Sequence, residues 1–216
     1  DISDSAILEE LGKNGAEIKI GQSYENIPEN TELIVYTIAI ERYDPELFKK
    51  IKSQEKILVN SYPEMLGVVT KDKFTIAVSG SHGKTTTTAM IAKILIEAGW
   101  DPSVIVGSLL KEYKSNFIAG GSNYFVVEAC EYERSFLNIH PDLAVITNIE
   151  ADHLDYYKDL EDIKNAFGQF LKQSKNAIQN YSQFLEKVPK LLVPGEHNRK
   201  NAAAALAVAD FLKIDL

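Results

Sequence analysis

Short apolar, β-rich runs recur along the chain, separated by stretches with helical spacing. Leu33 to Ile40 (LIVYTIAI), Lys56 to Asn60 (KILVN), Phe74 to Val78, Tyr124 to Glu128 (YFVVE) and Leu143 to Ile149 (LAVITNI) are such runs. Runs of this length and composition predict strands of a parallel sheet covered on both faces. Glu17 to Ile20 and Val104 to Val106 read as shorter strands. Between them the spacing predicts helices: one ending near Leu11, one from Pro45 to Ser53, one from Pro63 to Val69, and one from Thr85 to Ala98 stopped by Gly99. Another runs from Leu160 to Lys172, with Leu160, Ile163, Phe167, Phe170 and Leu171 along one stripe. After the turn Val193-Pro194-Gly195, an alanine-rich helix runs from Asn198 to Leu212, while residues 174–188 are polar and weakly patterned. Strands alternating with helices make this an α/β chain with a mostly parallel, doubly wound sheet. The polar stretch Thr70-Lys71-Asp72-Lys73 is the expected boundary between a partial first domain, 1–70, and a second, 71–216.

The most informative pattern is FTIAVSGSHGKTT, residues 74–86. A strand ends in Gly80, Ser81-His82-Gly83 turns, and Lys84-Thr85-Thr86 opens a helix. Glycines let backbone N–H groups approach an anion, the helix N-terminus carries partial positive charge, Lys84 adds a full one, and the Thr85 hydroxyl can ligate Mg²⁺. The motif departs from G-x-x-x-x-G-K-[ST], because Val78 stands at the first glycine position. An ordinary strand–turn–helix connection is the alternative.

Composition narrows the partners. Apolar residues make up 45% of 216, enough for a real core. The net charge of −8 argues against a nucleic-acid binder, which needs a basic face, but leaves room for a nucleotide. One cysteine, Cys130, excludes an internal disulfide and fits the reducing cytoplasm. No apolar run approaches the ~20 residues that span a bilayer, and no signal peptide is visible. The chain opens on Asp1 and ends on the helical pattern FLKIDL, and it reads as a fragment.

Two further strand ends carry polar groups toward the same edge. Glu128 closes YFVVE, and beside a phosphate loop it is placed to hold Mg²⁺; alone it would read as a solvated strand-end acid. Glu131 and Glu133 read as surface acids, and Cys130 as a half-buried small residue. Asn148, Glu150, Asp152, His153 and Asp155 follow the next strand in TNIEADHLD. This is a polar loop with a capping Asp, or a site where His153 ligates a second Mg²⁺ or meets the transferred phosphoryl group. In PGEHNRKNA, Asn198 or Asn201 reads from spacing as a helix cap, with hydrogen bonding of His197, Asn198 and Asn201 to a base edge as the alternative.

Taken in order, GSHGKTTTT, VVEACEYERSFL, TNIEADHLDYY and VPGEHNRKNAAAALAVA resemble the Mur ligase family. The resemblance covers most of the chain. It implies a UDP-substrate domain over 1–70 and a central ATPase domain over 71–216, the latter shortened around 174–190. It also implies a C-terminal domain that this chain lacks. The forms SHGKTTTT and NIEADHLD are nearest those members that join L-alanine to UDP-N-acetylmuramate through an acyl phosphate. On this resemblance Gly80, Ser81, His82, Gly83, Lys84, Thr85 and Thr86 bind the ATP phosphates. Thr85 and Glu128 hold one Mg²⁺, His153 helps hold the second, and His197, Asn198 and Asn201 lie near adenine. Thr37, Ala39 and Ile40 match a strand end facing uridine. A glycine-rich first unit is missing, and the family has Asp where this chain has Cys130. Other readings are a muropeptide-recycling ligase that adds a tripeptide, a folylpolyglutamate synthase, a non-catalytic nucleotide-binding fragment, and a phosphate-loop kinase or GTPase.

Overall fold

The computed structural model describes residues 5–110 and 112–215. They divide into two compact units, up to Leu66 and from Gly67 onward. The division falls inside a helix rather than in the polar stretch that follows it.

In the first unit, helix α1 (Ala6–Lys13) is capped by the Ser5 hydroxyl. Strands β1 (Leu33–Tyr36) and β2 (Leu58–Ser61) pair in parallel, joined through α2 (Ile40–Tyr43) and α3 (Pro45–Lys52). Pro45 opens α3, and the Asp44 carboxylate accepts from the Leu47 N–H. A small core forms where Ile40, Leu47 and Ile51 meet Ile34, Tyr36 and Val59. Two sequence expectations fail here. Glu17–Ile20 is irregular, having no strand beside it to hydrogen-bond. The LIVYTIAI run leaves the strand at Tyr36, because the Thr37 carbonyl accepts from the Ile40 N–H at 3.0 Å and turns the chain into α2. Nor is that run covered on both faces: Leu33 and Val35 are 40% and 44% exposed.

Helix α4 (Tyr62–Thr70) leads into the second unit. There the sheet order is β5-β4-β6-β3-β7-β8. The strands are β3 (Phe74–Ser79), β4 (Ser103–Leu110), β5 (Ser115–Ile118), β6 (Tyr124–Glu128), β7 (Leu143–Ile146) and β8 (Asn176–Ile178). All neighbours are parallel except β5, which runs antiparallel at one edge. Every residue of β7 and all but the first of β3 are buried, as expected of strands covered on both faces. Ile76 and Val78 of β3 pack with Ile91 and Leu95 of α5 (Lys84–Glu97) and with Ala204, Ala205 and Val208 of α7 (Glu196–Phe211). The run of small alanines lets α7 lie close against α5. Elsewhere Phe136 stacks on Phe170 at 4.7 Å and meets Phe167 edge-on, joining the turn Tyr132–Asn138 to α6 (Leu160–Gln173). Strands β5 and β8 were not anticipated, and β4 is longer than the expected Val104–Val106. Because β3 sits between β6 and β7, with Val78 beside Glu128 and Ser79 beside Ile146, three strand ends converge on one edge. Among the described residues no helix is long and apolar enough to cross a membrane.

Candidate functional site

The loop after β3 is locked by its neighbours. Gly80 has φ 141°, and a Cβ there would lie 2.1 Å from the Thr147 hydroxyl. Gly83 is left-handed at φ 81°, and a Cβ there would lie 2.4 Å from Asn201 Oδ1. Neither position accepts a side chain, which is why the loop needs glycine at these two places. The loop is stapled to the segment after β7. The Ser81 N–H donates to the Asn148 carbonyl at 3.1 Å, and the His82 N–H to Asn148 Oδ1 at 2.8 Å. Thr147 donates its hydroxyl to the His82 carbonyl at 2.6 Å, and the Glu150 N–H donates to Ser81 Oγ at 2.9 Å. Helix α5 then begins at Gly83 with no side-chain cap. Its first-turn N–H groups therefore face out as an anion-binding end, with Thr85 and Thr86 half-buried in that turn.

Lys84 is turned back into the loop. Its ammonium donates to the carbonyls of Gly80 at 2.6 Å and Ser81 at 3.3 Å, and to Glu131 Oε1 at 2.9 Å. Glu131 is 2% exposed, so the sequence reading of it as a surface acid is wrong. The chain past β6 folds inward instead. The Tyr157 hydroxyl and the Arg134 N–H both donate to the Glu131 carbonyl, and Glu133 and Arg134 adopt left-handed backbone at φ 51° and 56°. Burial pushes the Tyr157 phenol up to about 12. Nothing in the alternation of YFVVEACEYER marks Glu131 as buried; the signal that could have found it is the lysine in the loop, which needs a carboxylate partner when half-buried. Cys130 is exposed rather than half-buried.

Glu128, at the end of β6, is half-buried beside β4, where the Gly107 N–H donates to its Oε2 at 2.6 Å. It does not join the carboxylates around His153. That group consists of Glu131, Asp152 and His153, whose ligand atoms lie within 4.8 Å of one another. His153 Nε2 is 3.6 Å from Glu131 Oε1, its ring lies 4.9 Å from that of Tyr132, and its backbone is left-handed at φ 53°. For a non-glycine residue this is a strained conformation, held here by the Asp152 carboxylate accepting the His153 N–H at 2.8 Å. A divalent cation fits this donor set. Two carboxylates and an imidazole suit it chemically, and Glu131 Oε2 is buried with no hydrogen-bond partner among the described residues.

A cleft of about 730 Å³ opens beside the loop, between the segment after β7 and the start of α7. His82, Gly83 and Thr86 reach it from one side, and His197, Asn198 and Asn201 from the other. The cap reading of the two asparagines fails. Gly195 is the N-cap residue, with no side-chain cap, and the Asn198 amide donates back to the Pro194 carbonyl at 3.0 Å. Asn198 and Asn201 are both buried, and Asn201 lies against Gly83. The third wall was missed by sequence reasoning. Gln179, Asn180 and Tyr181 follow β8, and the Tyr181 hydroxyl donates to the Thr147 carbonyl at 2.6 Å. The short β8 brings this polar, weakly patterned stretch to the sheet edge. A second cleft, lined by Met90, Ile94 and Leu206, is apolar and stands apart from these groups.

In the first unit Thr37 is exposed, Ala39 precedes α2, and Ile40 is a core residue. The Thr37 hydroxyl accepts from the Ala39 N–H at 3.4 Å. The three thus form the turn after β1, with the Ile40 side chain turned into that core.

Comparison with known proteins gives the family. Residues 78–188 match the Mur ligase middle domain. A UDP-N-acetylmuramate–L-alanine ligase of Clostridium botulinum is 46% identical over 173 residues, 80% of this chain and 37% of that protein. The corresponding ligase of Clostridium acetobutylicum is 36% identical over 263 residues, 99% of this chain and 57% of that protein. That match is longer than the 216 residues here, so it includes positions where this chain has none. The crystal structure of the UDP-N-acetylmuramate–alanine ligase MurC of Thermotoga maritima superposes with a TM-score of 0.84 at 25% identity, covering 100% of this chain and 59% of that one. The chain thus spans between about a third and three fifths of these relatives. With the glycine loop, Lys84, Glu131 and His153 all inside the matched residues 78–188, the chain belongs to the Mur ligase family.

Proposed function

We propose that this chain is the nucleotide-handling part of a ligase that uses ATP to join L-alanine to UDP-N-acetylmuramate during peptidoglycan precursor synthesis in the cytoplasm. Residues 1–70 belong to the domain that receives the UDP-substrate, and 71–216 form the ATP-binding domain. The observation that carries the reading is the cleft in which His82, Gly83 and Thr86 of the glycine loop face the paired asparagines of α7. A phosphate loop alone suits many nucleotide enzymes; the strict fit of Asn201 against Gly83 couples this loop to a second polar wall.

In the proposed reaction a carboxylate oxygen of the substrate attacks the γ-phosphorus of ATP, and ADP leaves. The amine of L-alanine then attacks the acyl phosphate, giving the amide and inorganic phosphate. The first-turn N–H groups of α5 and the ammonium of Lys84 hold the polyphosphate and offset the negative charge that grows on the leaving oxygen. His197, Asn198 and Asn201 orient the base along the other wall. Thr85, Glu128, Glu131, Asp152 and His153 are the side chains available to Mg²⁺, which when bound neutralises phosphate charge and polarises the P–O bond.

The test uses the longer protein that contains this chain. ADP should form only when UDP-N-acetylmuramate and L-alanine are both present. Equal ADP formation with a tripeptide in place of L-alanine would move the assignment to a muropeptide-recycling ligase. The 216-residue chain alone should bind Mg²⁺–nucleotide weakly and form no amide; amide formation by this chain would overturn the division of labour proposed here.

A further inference from the structure

Glu131 poses an electrostatic problem for a site that binds polyphosphate. Its carboxylate is 2% exposed and lies at the base of the loop. It neutralises Lys84, the loop's one full positive charge. It also helps occupy that lysine, whose ammonium already donates to Gly80, Ser81 and Glu131. A bare phosphate entering the loop therefore meets a lysine whose charge is offset and whose donors are in use. The other carboxylate oxygen, Oε2, is buried and has no hydrogen-bond partner among the described residues. Beside it stand Asp152 and His153, with ligand atoms from all three within 4.8 Å. Carboxylates in such a setting repel an incoming anion, and a divalent cation reverses the sign of the local field.

Resting on the nucleotide reading above, we infer that Glu131 makes the phosphate loop conditional on a divalent cation. The buried carboxylate rejects metal-free polyphosphate. It admits polyphosphate once a cation seated among Glu131, Asp152 and His153 has taken up its charge and released Lys84 toward the anion. Glu131 is thus a positioning residue: it touches no reacting atom and works through Lys84 and the cation. The site selects the metal–nucleotide complex over the free nucleotide before any chemistry begins.

The test is isothermal titration of the 216-residue chain with ADP, once in Mg²⁺ and once in EDTA. Glu131→Gln keeps the size and one hydrogen-bonding oxygen but removes the charge. It should raise affinity for metal-free ADP on the order of tenfold over the wild type. Glu131→Asp keeps the charge and should retain the wild-type preference for Mg²⁺. A merely structural role for Glu131 predicts the opposite for the Gln variant, a loss of affinity in both buffers. A Gln variant that melts like the wild type yet binds metal-free ADP no better overturns the inference while leaving the nucleotide site standing. Failure of the wild type to bind ADP even in Mg²⁺ overturns both. An independent readout needs no variant. Electron paramagnetic resonance of Mn²⁺ added to the nucleotide-free chain should show protein-bound metal, and wholly free Mn²⁺ at saturating protein would contradict the cation seat.

Discussion

Lys84 and Glu131 depend on each other unequally. Lys84 lies near the open side of the loop, whereas Glu131 is buried at its base. Removing the lysine leaves a carboxylate in the interior with His153 at 3.6 Å and a second acid, Asp152, beside it. Such an orphaned charge costs about 3 kcal/mol. Lys84→Ala should therefore lower the stability of the second unit by about that amount in urea denaturation. Adding Glu131→Gln to it should recover most of the loss, and strictly additive losses would show that the two groups are not coupled. The lysine's place at a helix start was legible in the sequence, because a glycine turn before KTT marks where α5 begins. Its partner was not. Burial of Glu131 follows from the backbone turn at Glu133 and Arg134, and left-handed φ at two consecutive non-glycine residues leaves no mark in the pattern of side chains.

At the level of elements, the second unit was read well where strands are long and covered on both faces. β3, β6 and β7 fall where the apolar runs lie, because burial on both faces demands a continuous apolar run. Elements held by their partners were missed. β5 and β8 are short edge strands, and β8 exists because β7 offers it a hydrogen-bonding edge. The start of α4 falls within one residue of the expected Pro63, and the sequence also marks its cap. Ser61-x-x-Glu64 is a capping box, with the Ser61 N–H donating to Glu64 Oε2 at 2.6 Å and the Glu64 N–H to Ser61 Oγ at 3.4 Å. The segment joining Glu131 to α6 carries a pH signature. Burial raises the Tyr157 phenol from 10.0 to about 12, so the unfolded chain loses this proton first. The stabilisation is complete below pH 10.0 and disappears as pH rises toward about 12. The decline should be about 1.4 kcal/mol per pH unit in that window. Urea midpoints measured on either side of pH 10.0 should show it, and Tyr157→Phe should flatten it in part, since Tyr181 is also raised by burial. An unchanged slope in the Phe variant would mean that the phenol is not the group responsible.

Over the whole molecule, the two units differ in how much core they own. The first buries Ile40, Leu47 and Ile51, whereas the second has a cluster spanning four strands and two helices. Calorimetry of the chain should therefore resolve two transitions, with the first unit melting at the lower temperature. ADP with Mg²⁺ should raise only the upper transition, because a ligand stabilises the unit that binds it. A shift of the lower transition alone would place the nucleotide in the wrong unit. What the sequence by itself determined is the local chemistry: a glycine loop between a strand and a helix, acids and a histidine past later strands, asparagines at the start of the last helix. Each follows from backbone geometry within a few residues, where glycine, proline and apolar spacing act directly. Only the tertiary structure decided which of those groups share a site. The order β4-β6-β3-β7 brings Glu131 and His153 to Lys84 and holds Glu128 on Gly107 instead, while the packing of α7 beside α5 sets Asn201 against Gly83. Those pairings are set by strands and helices far apart along the chain, and no local pattern encodes which elements will lie side by side.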